Sequence, residues 1–363
     1  MSTEEFTIGV EEEFLVVDGA TGALRAEGPA LLPEARSRLG DDVHPELHSS
    51  QLEINTSVAA TLADVRREVT NLRRGLSAVL AEKGYRLAAS GTHPFSTWHE
   101  DPDVNPEYAV VEREYQQLAR EQIICGVHVH VGVEDPELAI KVVNAVGPWL
   151  SPLIALAANS PFWGGRDTGY ASYRTELWRR WPMAGTPAPF ADRADYEALV
   201  DILLRTGSID DHARIYWDVR PSAKFPTVEF RVADVGLTVD DTVMVAGLVR
   251  ALAVTATNAE PRVVRPELIR AATWRAARYG LEGELLDAEA GEALPAGELL
   301  DRFIDRLRPA LVELGDWDEV SALVARVRAG GNGADRQRRV LAQTGDERAV
   351  VNFIVEESTP AAC

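Results

Sequence analysis

The chain of 363 residues is 46% hydrophobic and 26% charged, a globular composition that suits one large domain or two modest ones and excludes a disordered chain, collagen or a coiled coil. Its 57 Asp and Glu outweigh 37 Lys and Arg, and the net charge of −20 repels nucleic acid and anionic lipid, so neither is expected as a partner. Cys125 and Cys363 make no CxxC pair and no disulfide framework, and Met1 to Phe6 carry acids where an export signal needs a basic start, so a cytoplasmic protein is expected.

Residues 7–17 alternate as a strand, and within Gly9-Val10-Glu11-Glu12-Glu13-Phe14 the side chains of Glu11 and Glu13 share one face while Val10 and Phe14 take the other. Carboxylates about 7 Å apart on one face repel unless a cation joins them, although a solvated acidic edge fits the same pattern. A second strand at 50–57 follows Glu46-Leu47-His48-Ser49 and sets Gln51, Glu53 and Asn55 opposite Leu52 and Ile54. Such an oxygen-rich face suits a hard cation such as Mg²⁺, and a half-exposed strand is the plain alternative. His48 reads as a structural or surface histidine. Residues 62–80 then place Leu62, Val65, Val69, Leu72, Leu76 and Val79 on one helical face, capped by Thr61 and stopped at Gly84.

The strand at 125–133 fills one face with valines and projects His128 and His130 from the other. Two imidazoles and a carboxylate also suit a zinc hydrolase. The apolar stretch 145–158 is broken by Pro148 and Pro152 and is shorter than the ~20 residues a bilayer crossing needs, so it predicts a buried core helix. The glycine-rich 164–169 is neither a P-loop nor a GxGxxG fingerprint and reads as a mobile loop. Segments 173–180 and 217–225 set Arg174, Arg179, Arg180, Arg220 and Lys224 among aromatics, and arginine forks suit carboxylate and phosphate oxygens. Further helices are expected at 195–206, 240–258, 298–307 and 317–328, and an exposed one at 334–342, with a boundary near Glu260 to Pro266.

In the strand at 227–233, Glu229 and Arg231 oppose Val228, Phe230 and Val232; a cross-strand salt bridge explains that pair as readily as catalysis does. The sum is more telling than any member. Carboxylates, two histidines and an arginine occupy polar positions of strands whose other face is apolar, an arrangement that metal ions would stabilise. Mg²⁺ ions beside an arginine suit a phosphoryl group in transfer. The predicted class is α+β, a mainly antiparallel sheet with one face wetted by a site and helices over the other.

These residues resemble the carboxylate–amine ligase branch of the glutamate–cysteine ligase family, type 2. The resemblance rests on Gly9-Val10-Glu11-Glu12-Glu13-Phe14, His48-Ser49-Ser50-Gln51-Leu52-Glu53, Cys125-Gly126-Val127-His128-Val129-His130, Asn159-Ser160-Pro161-Phe162, Ala171-Ser172-Tyr173-Arg174, Trp217-Asp218-Val219-Arg220-Pro221, Glu229-Phe230-Arg231-Val232-Ala233-Asp234 and Arg278-Tyr279-Gly280-Leu281-Glu282-Gly283, in order along nearly the whole chain.

It implies a fold like the catalytic domain of glutamine synthetase, with a curved, mainly antiparallel sheet lining the active site. It also implies ATP-dependent joining of glutamate to an amine, cysteine first, through γ-glutamyl phosphate with release of ADP and phosphate. Glu11, Glu13, Glu46, Glu53, His128 and Glu229 match metal positions, for Mg²⁺ or Mn²⁺. Arg231 matches the arginine that meets the transferring phosphoryl group, and Arg174 one that holds glutamate. Arg220 and Lys224 are candidates to bind ATP, and Glu53 to take the amine proton. Residues 1–363 are expected to form one catalytic domain with a helical portion from about 262 to 363, and a homodimer is expected. The rivals are a non-catalytic glutamate or nucleotide sensor and the zinc hydrolase.

Overall fold

The computed structural model describes residues 6–97, 99, 104–259 and 262–360. Strands β1 (Ile8–Asp18), β2 (Val43–Pro45), β3 (Gln51–Asn55), β4 (Tyr85–Ala88) and β5 (Gly126–Gly132) are followed by a small hairpin of β6 (Phe162–Trp163) and β7 (Arg166–Asp167). Then come β8 (Val219–Pro221), β9 (Thr227–Asp234) and a second hairpin of β10 (Glu284–Asp287) and β11 (Glu292–Pro295). Seven of these form one open antiparallel sheet in the order β2-β3-β1-β5-β9-β8, with β4 also paired to β1. Four motifs far apart in sequence thereby become neighbouring strands.

Alternation dictates what each face does. Ile8, Val10, Val127, Val129, Val131, Val228 and Phe230 enter the main core with the helices Pro136–Val146, Leu150–Ala157 and Val239–Asn258. The last of these starts at a capping box between Thr238 and Asp241 and is buried along most of its length. Glu12 projects into this apolar side too. It is met by the fully buried Arg73 of the helix Leu62–Glu82, which donates to it at 2.6 and 2.9 Å, and by the Thr242 hydroxyl. The middle glutamate of the triplet is therefore a clamp between sheet and helices.

Thr61 caps the helix Leu62–Glu82 by accepting from Asp64 N–H, as its sequence predicts. Other predicted helices shift. The one expected at 195 begins at Arg193 because Asp192 supplies the cap, and the one expected to end at 307 runs Ala296–Leu314 through Pro309, since Ala310 and Leu311 beyond it are buried. The apolar stretch 145–158 is not one helix: the turn Gly147–Trp149 separates Pro136–Val146 from Leu150–Ala157. By length and composition Pro136–Ala157 could cross a membrane, but 83% of its apolar window is buried inside the protein, where it packs as core.

Two expectations need correcting. Residues 164–167 are the turn and second strand of the β6–β7 hairpin and 168–169 follow it, the segment being fastened by an Arg338–Asp167 ion pair at 2.7 Å and by Arg278 donating to Gly169 O. The helix predicted as exposed at 334–342 is Gly333–Thr344, and its Ala334 and Gln337 are buried, with Gln337 Nε2 donating to Asn159 Oδ1 at 2.8 Å. Met1, Cys363 and, at the expected boundary, Glu260 and Pro261 lie outside the described residues.

Candidate active site

Strand register assembles the polar face. Glu11 lies opposite Asn55 on β3 and His128 on β5, Glu13 opposite Glu53, and Glu229 opposite both His130 and Arg220. Register slips between Val127 and Val129 where β5 meets β9, an irregularity of the kind that re-aims side chains beside sites, and it falls next to Arg231. Glu46 follows directly after β2 and is hydrogen-bonded to Glu53.

Two groups of three ligand atoms result, each within 4.8 Å: Glu11, His128 and Glu229, and Glu13, Glu53 and His128. His128 Nδ1 is 3.1 Å from Glu11 and its Nε2 is 3.6 Å from Glu13. His130 joins neither group. Its Nε2 lies 3.2 Å from Glu11 and its Nδ1 is hydrogen-bonded to Thr227 Oγ1 at 2.9 Å, so it positions Glu11.

The carboxyls divide into two electrostatic sets. Burial raises Glu11, but the imidazoles of His128 and His130 outweigh it and hold the group well below the usual carboxylate range. Burial likewise works against Glu229, and the Arg231 and Arg220 guanidiniums keep it depressed. Glu13, Glu46 and Glu53 are pushed the other way by burial, with Glu53 raised furthest because Glu11, Glu46 and Glu13 crowd it. Carboxylates crowded in this way ionise together only with positive charge between them. The donors are oxygens with one shared imidazole, a set that fits divalent Mg²⁺ or Mn²⁺ better than zinc.

The arginines have distinct settings. Arg231 is buried, donates to Glu229 and lies 3.5 Å from His128 Nδ1. Arg220 is committed to Glu229 at 2.7 Å and to the Ala213 and Ile215 carbonyls. Lys224 stands exposed on the β8–β9 turn, its backbone N–H donating to Ser222 Oγ at 3.3 Å. Arg174 is buried in the short helix Tyr173–Trp178, capped by Ser172, and both Arg174 and Arg231 lie over the Trp178 ring, at 5.7 and 5.3 Å. Asp234 anchors this corner: it accepts from Ser160 Oγ at 2.7 Å and Ser172 Oγ at 2.8 Å, and Ser160 Oγ in turn accepts from Arg174 N–H. Sequence reasoning quoted Asp234 and Trp178 within motifs and gave them no role; a buried acid closing a strand of site residues was the available signal. His48 is structural, fully buried with Nε2 bonded to Ala119 O.

Two chambers flank the carboxylate row. One of about 710 Å³ is bordered by Glu11 and His130 and walled by apolar groups including Val10, Val133, Leu138 and Phe225. The other, about 200 Å³, is lined by Glu13, Glu46, Arg174, Arg231 and the aromatic rings of Trp178 and Trp181.

A family model described as glutamate–cysteine ligase family 2 matches residues 7–353. The "Putative glutamate–cysteine ligase 2-2" of Frankia alni is 44% identical over 385 residues, covering 100% of both chains. The "Putative glutamate–cysteine ligase 2" of Rhodopirellula baltica is 41% identical, covering 100% of this chain and 99% of that one. The fold is shared with a glutamate–cysteine ligase from Francisella tularensis solved with AMP, at TM-score 0.73 and 13% identity over 99% of this chain and 90% of that one. It is shared too with a bifunctional glutathione synthetase from Pasteurella multocida, at TM-score 0.76 and 16% identity over 98% of this chain; the chain spans about half of that protein, 52%. The enzyme class is that of ATP-dependent ligases forming C–N bonds. The chain belongs to glutamate–cysteine ligase family 2.

Proposed function

We propose that this enzyme uses ATP to phosphorylate the γ-carboxylate of glutamate and then transfers the γ-glutamyl group to an amine, with cysteine the leading candidate. The observation that carries the reading is the carboxylate and histidine row between an apolar chamber and an arginine-lined one. A nucleotide base and ribose suit the first, a small acidic substrate the second, and the phosphoryl group would cross between them.

In the first step a γ-carboxylate oxygen bonds to the terminal phosphorus, the bond to the bridging oxygen breaks, and ADP leaves with that electron pair. In the second the amine nitrogen attacks the acyl carbon and phosphate departs. Glu11, His128 and Glu229, and Glu13, Glu53 and His128 with Glu46 beside them, would hold divalent cations, which when bound screen the repulsion between ATP and carboxylate. Arg231 stabilises charge on the moving phosphoryl oxygens, Arg174 orients the acidic substrate, and Glu53 accepts the amine proton. Arg220 acts by fixing Glu229, and Lys224 by meeting ATP phosphate from the turn. Residues 1–363 work as one catalytic domain, with the helical portion from about 262 bracing the Arg174 corner through Gln337 and Asn159. In the zinc-hydrolase alternative both histidines hold one ion, whereas each ligand group here contains His128 alone.

The test is ADP release by the purified protein with Mg²⁺ and ATP, scanning glutamate and other acids against a panel of amines that includes cysteine. Release that requires glutamate together with one amine supports the reading and names the second substrate. ATP or glutamate binding with no release from any pair would favour the sensor.

A further inference from the structure

The arginine-lined chamber holds an unusual concentration of unmet hydrogen-bonding groups. Six of its lining residues carry a buried side-chain polar atom without a partner among the described residues: Gln51 Oε1, both amide atoms of Gln122, Arg174 Nε, Trp178 Nε1, Trp181 Nε1 and Arg231 Nε. Leaving such a group unpaired is costly, and buried polar atoms in folded proteins nearly always find partners. A cluster around one chamber is best explained by a ligand that supplies them.

Gln122 differs from the other five. Arg174 and Arg231 also lie over Trp178, Trp181 packs against Tyr115 and Tyr216, and Gln51 donates through Nε2 to Ile124 O at 2.7 Å. Gln122 is 4% exposed, and neither end of its amide has a partner among the described residues. Its backbone is fixed independently, donating to Ala119 O at 3.1 Å and accepting from Ile124 N–H at 3.0 Å. Packing and backbone therefore do not account for an amide at this position.

The inventory of unmet groups describes the ligand. The two guanidinium Nε–H groups, the two indole N–H groups and the Gln122 NH₂ are donors, and the Gln122 and Gln51 carbonyl oxygens are acceptors. A ligand that answers all of them is rich in acceptors and has at least one donor. A plain dicarboxylate leaves the acceptors unmet and a plain amine leaves the donors unmet, whereas an α-amino acid supplies both from adjacent groups. Either orientation of the Gln122 amide presents one donor and one acceptor, so this conclusion does not depend on which way the amide is turned.

We infer that Gln122 is a specificity-determining residue that reads the α-ammonium and α-carboxylate of the acidic substrate and separates an α-amino dicarboxylate from a plain one. The inference rests on the proposed function, which places that substrate in this chamber. Gln122 Oε1 accepts from the α-ammonium, and Nε2–H donates to the α-carboxylate alongside the indole N–H groups. A site built to bond a polar substituent rejects analogues that lack it, because its own groups are then left unpaired.

The experiment compares L-glutamate with glutarate, which lacks only the α-amino group, in the wild type, Gln122→Met and Gln122→Leu. ADP release gives kcat and KM for each acid, and calorimetry reads binding of the same two acids without turnover. Both variants should raise KM for glutamate by about tenfold or more, the value of one or two buried hydrogen bonds. Both should weaken glutarate less than glutamate, because glutarate loses only the carboxylate contact while glutamate also loses the ammonium contact, and both should leave ATP KM and the Mg²⁺ requirement near wild type, so the glutamate-to-glutarate preference falls. A Gln122→Met protein that retains the wild-type preference overturns the inference. Wild type that binds glutamate without releasing ADP from any pair defeats the proposed function instead, and the calorimetric preference still decides the role of Gln122.

Discussion

The His128 imidazole stands between the two carboxylates that alternate on β1, with Nδ1 3.1 Å from Glu11 and Nε2 3.6 Å from Glu13. A neutral imidazole has one free lone pair, so His128 serves one cation at a time and carboxylate oxygens must supply most of the other's coordination. His130 touches Glu11 from outside both ligand groups. Replacing the partner that orients a ligand typically costs 10–100-fold in metal affinity. His130→Ala should therefore raise the Mg²⁺ concentration for half-maximal ADP release by roughly 10–100-fold and recover most turnover at saturating Mg²⁺. His128→Ala should stay inactive at any Mg²⁺ concentration, and a Mg²⁺ titration of both variants separates the two roles.

Stability should depend on pH in a direction that Mg²⁺ alters. Glu13, Glu46 and Glu53 are raised above the ordinary value of 4.5, so above that pH the folded metal-free protein retains protons the unfolded chain has lost. Stability from this set is thus present below pH 4.5 and declines as pH rises through the raised values. Glu11 and Glu229 are depressed, and their contribution is lost only as pH falls below 4.5. The rise in thermal midpoint on adding Mg²⁺ should grow from mildly acidic to mildly alkaline pH, and Glu53→Gln should flatten the metal-free profile. A Mg²⁺ effect independent of pH would contradict this assignment.

Arg231 is the residue on which phosphoryl transfer should depend most. Its charge is buried, paired with Glu229 and aimed into the chamber beside Trp178. Arg231→Ala should lower kcat by about 10³-fold or more, in the range of an arginine that stabilises a phosphoryl group in transfer. Arg220 still neutralises Glu229 at 2.7 Å, so the variant should remain folded, which circular dichroism checks alongside ADP release.

Gly126 has a definite reason to be glycine. A Cβ there would collide with the Arg174 guanidinium, although the glycine lies on β5 and Arg174 in a separate helix. Gly126→Ala should therefore displace Arg174 and reproduce the defect of Arg174→Lys, in which a bidentate fork becomes a point charge. Both should raise KM for glutamate by about tenfold or more while ATP KM changes little. Initial rates over a glutamate series test the equivalence.

Much of this site was legible because a strand's period of two turns a short motif into a face. Glu11 with Glu13, His128 with His130, and Glu229 with Arg231 could each be placed on one side of a strand without knowing its neighbour. Partners across the sheet could not be placed. Pairing of Glu11 with His128 and of Glu13 with Glu53 is set by register between segments as much as 117 residues apart. Glu12 was hidden for a related reason, since its opposite face carried no sign that Arg73 would meet it inside the core. Gln122 lies outside any periodic segment, and only the three-dimensional lining of the chamber draws attention to it. The helix through Pro309 persisted because burial of Leu311 outweighed one missing backbone donor, a balance that local propensity does not contain.

The most direct test of the central claim follows an oxygen atom. Glutamate labelled with oxygen-18 in its γ-carboxylate is turned over with ATP, Mg²⁺ and the amine found by screening, and the released phosphate is analysed by mass spectrometry. If the γ-carboxylate attacks the terminal phosphorus and the amine then displaces phosphate, every phosphate released from fully labelled glutamate carries one labelled oxygen. Phosphate free of label, formed at the same rate as the amide, would show that no γ-glutamyl phosphate lies on the path and would contradict the roles given to Arg231 and the carboxylate row.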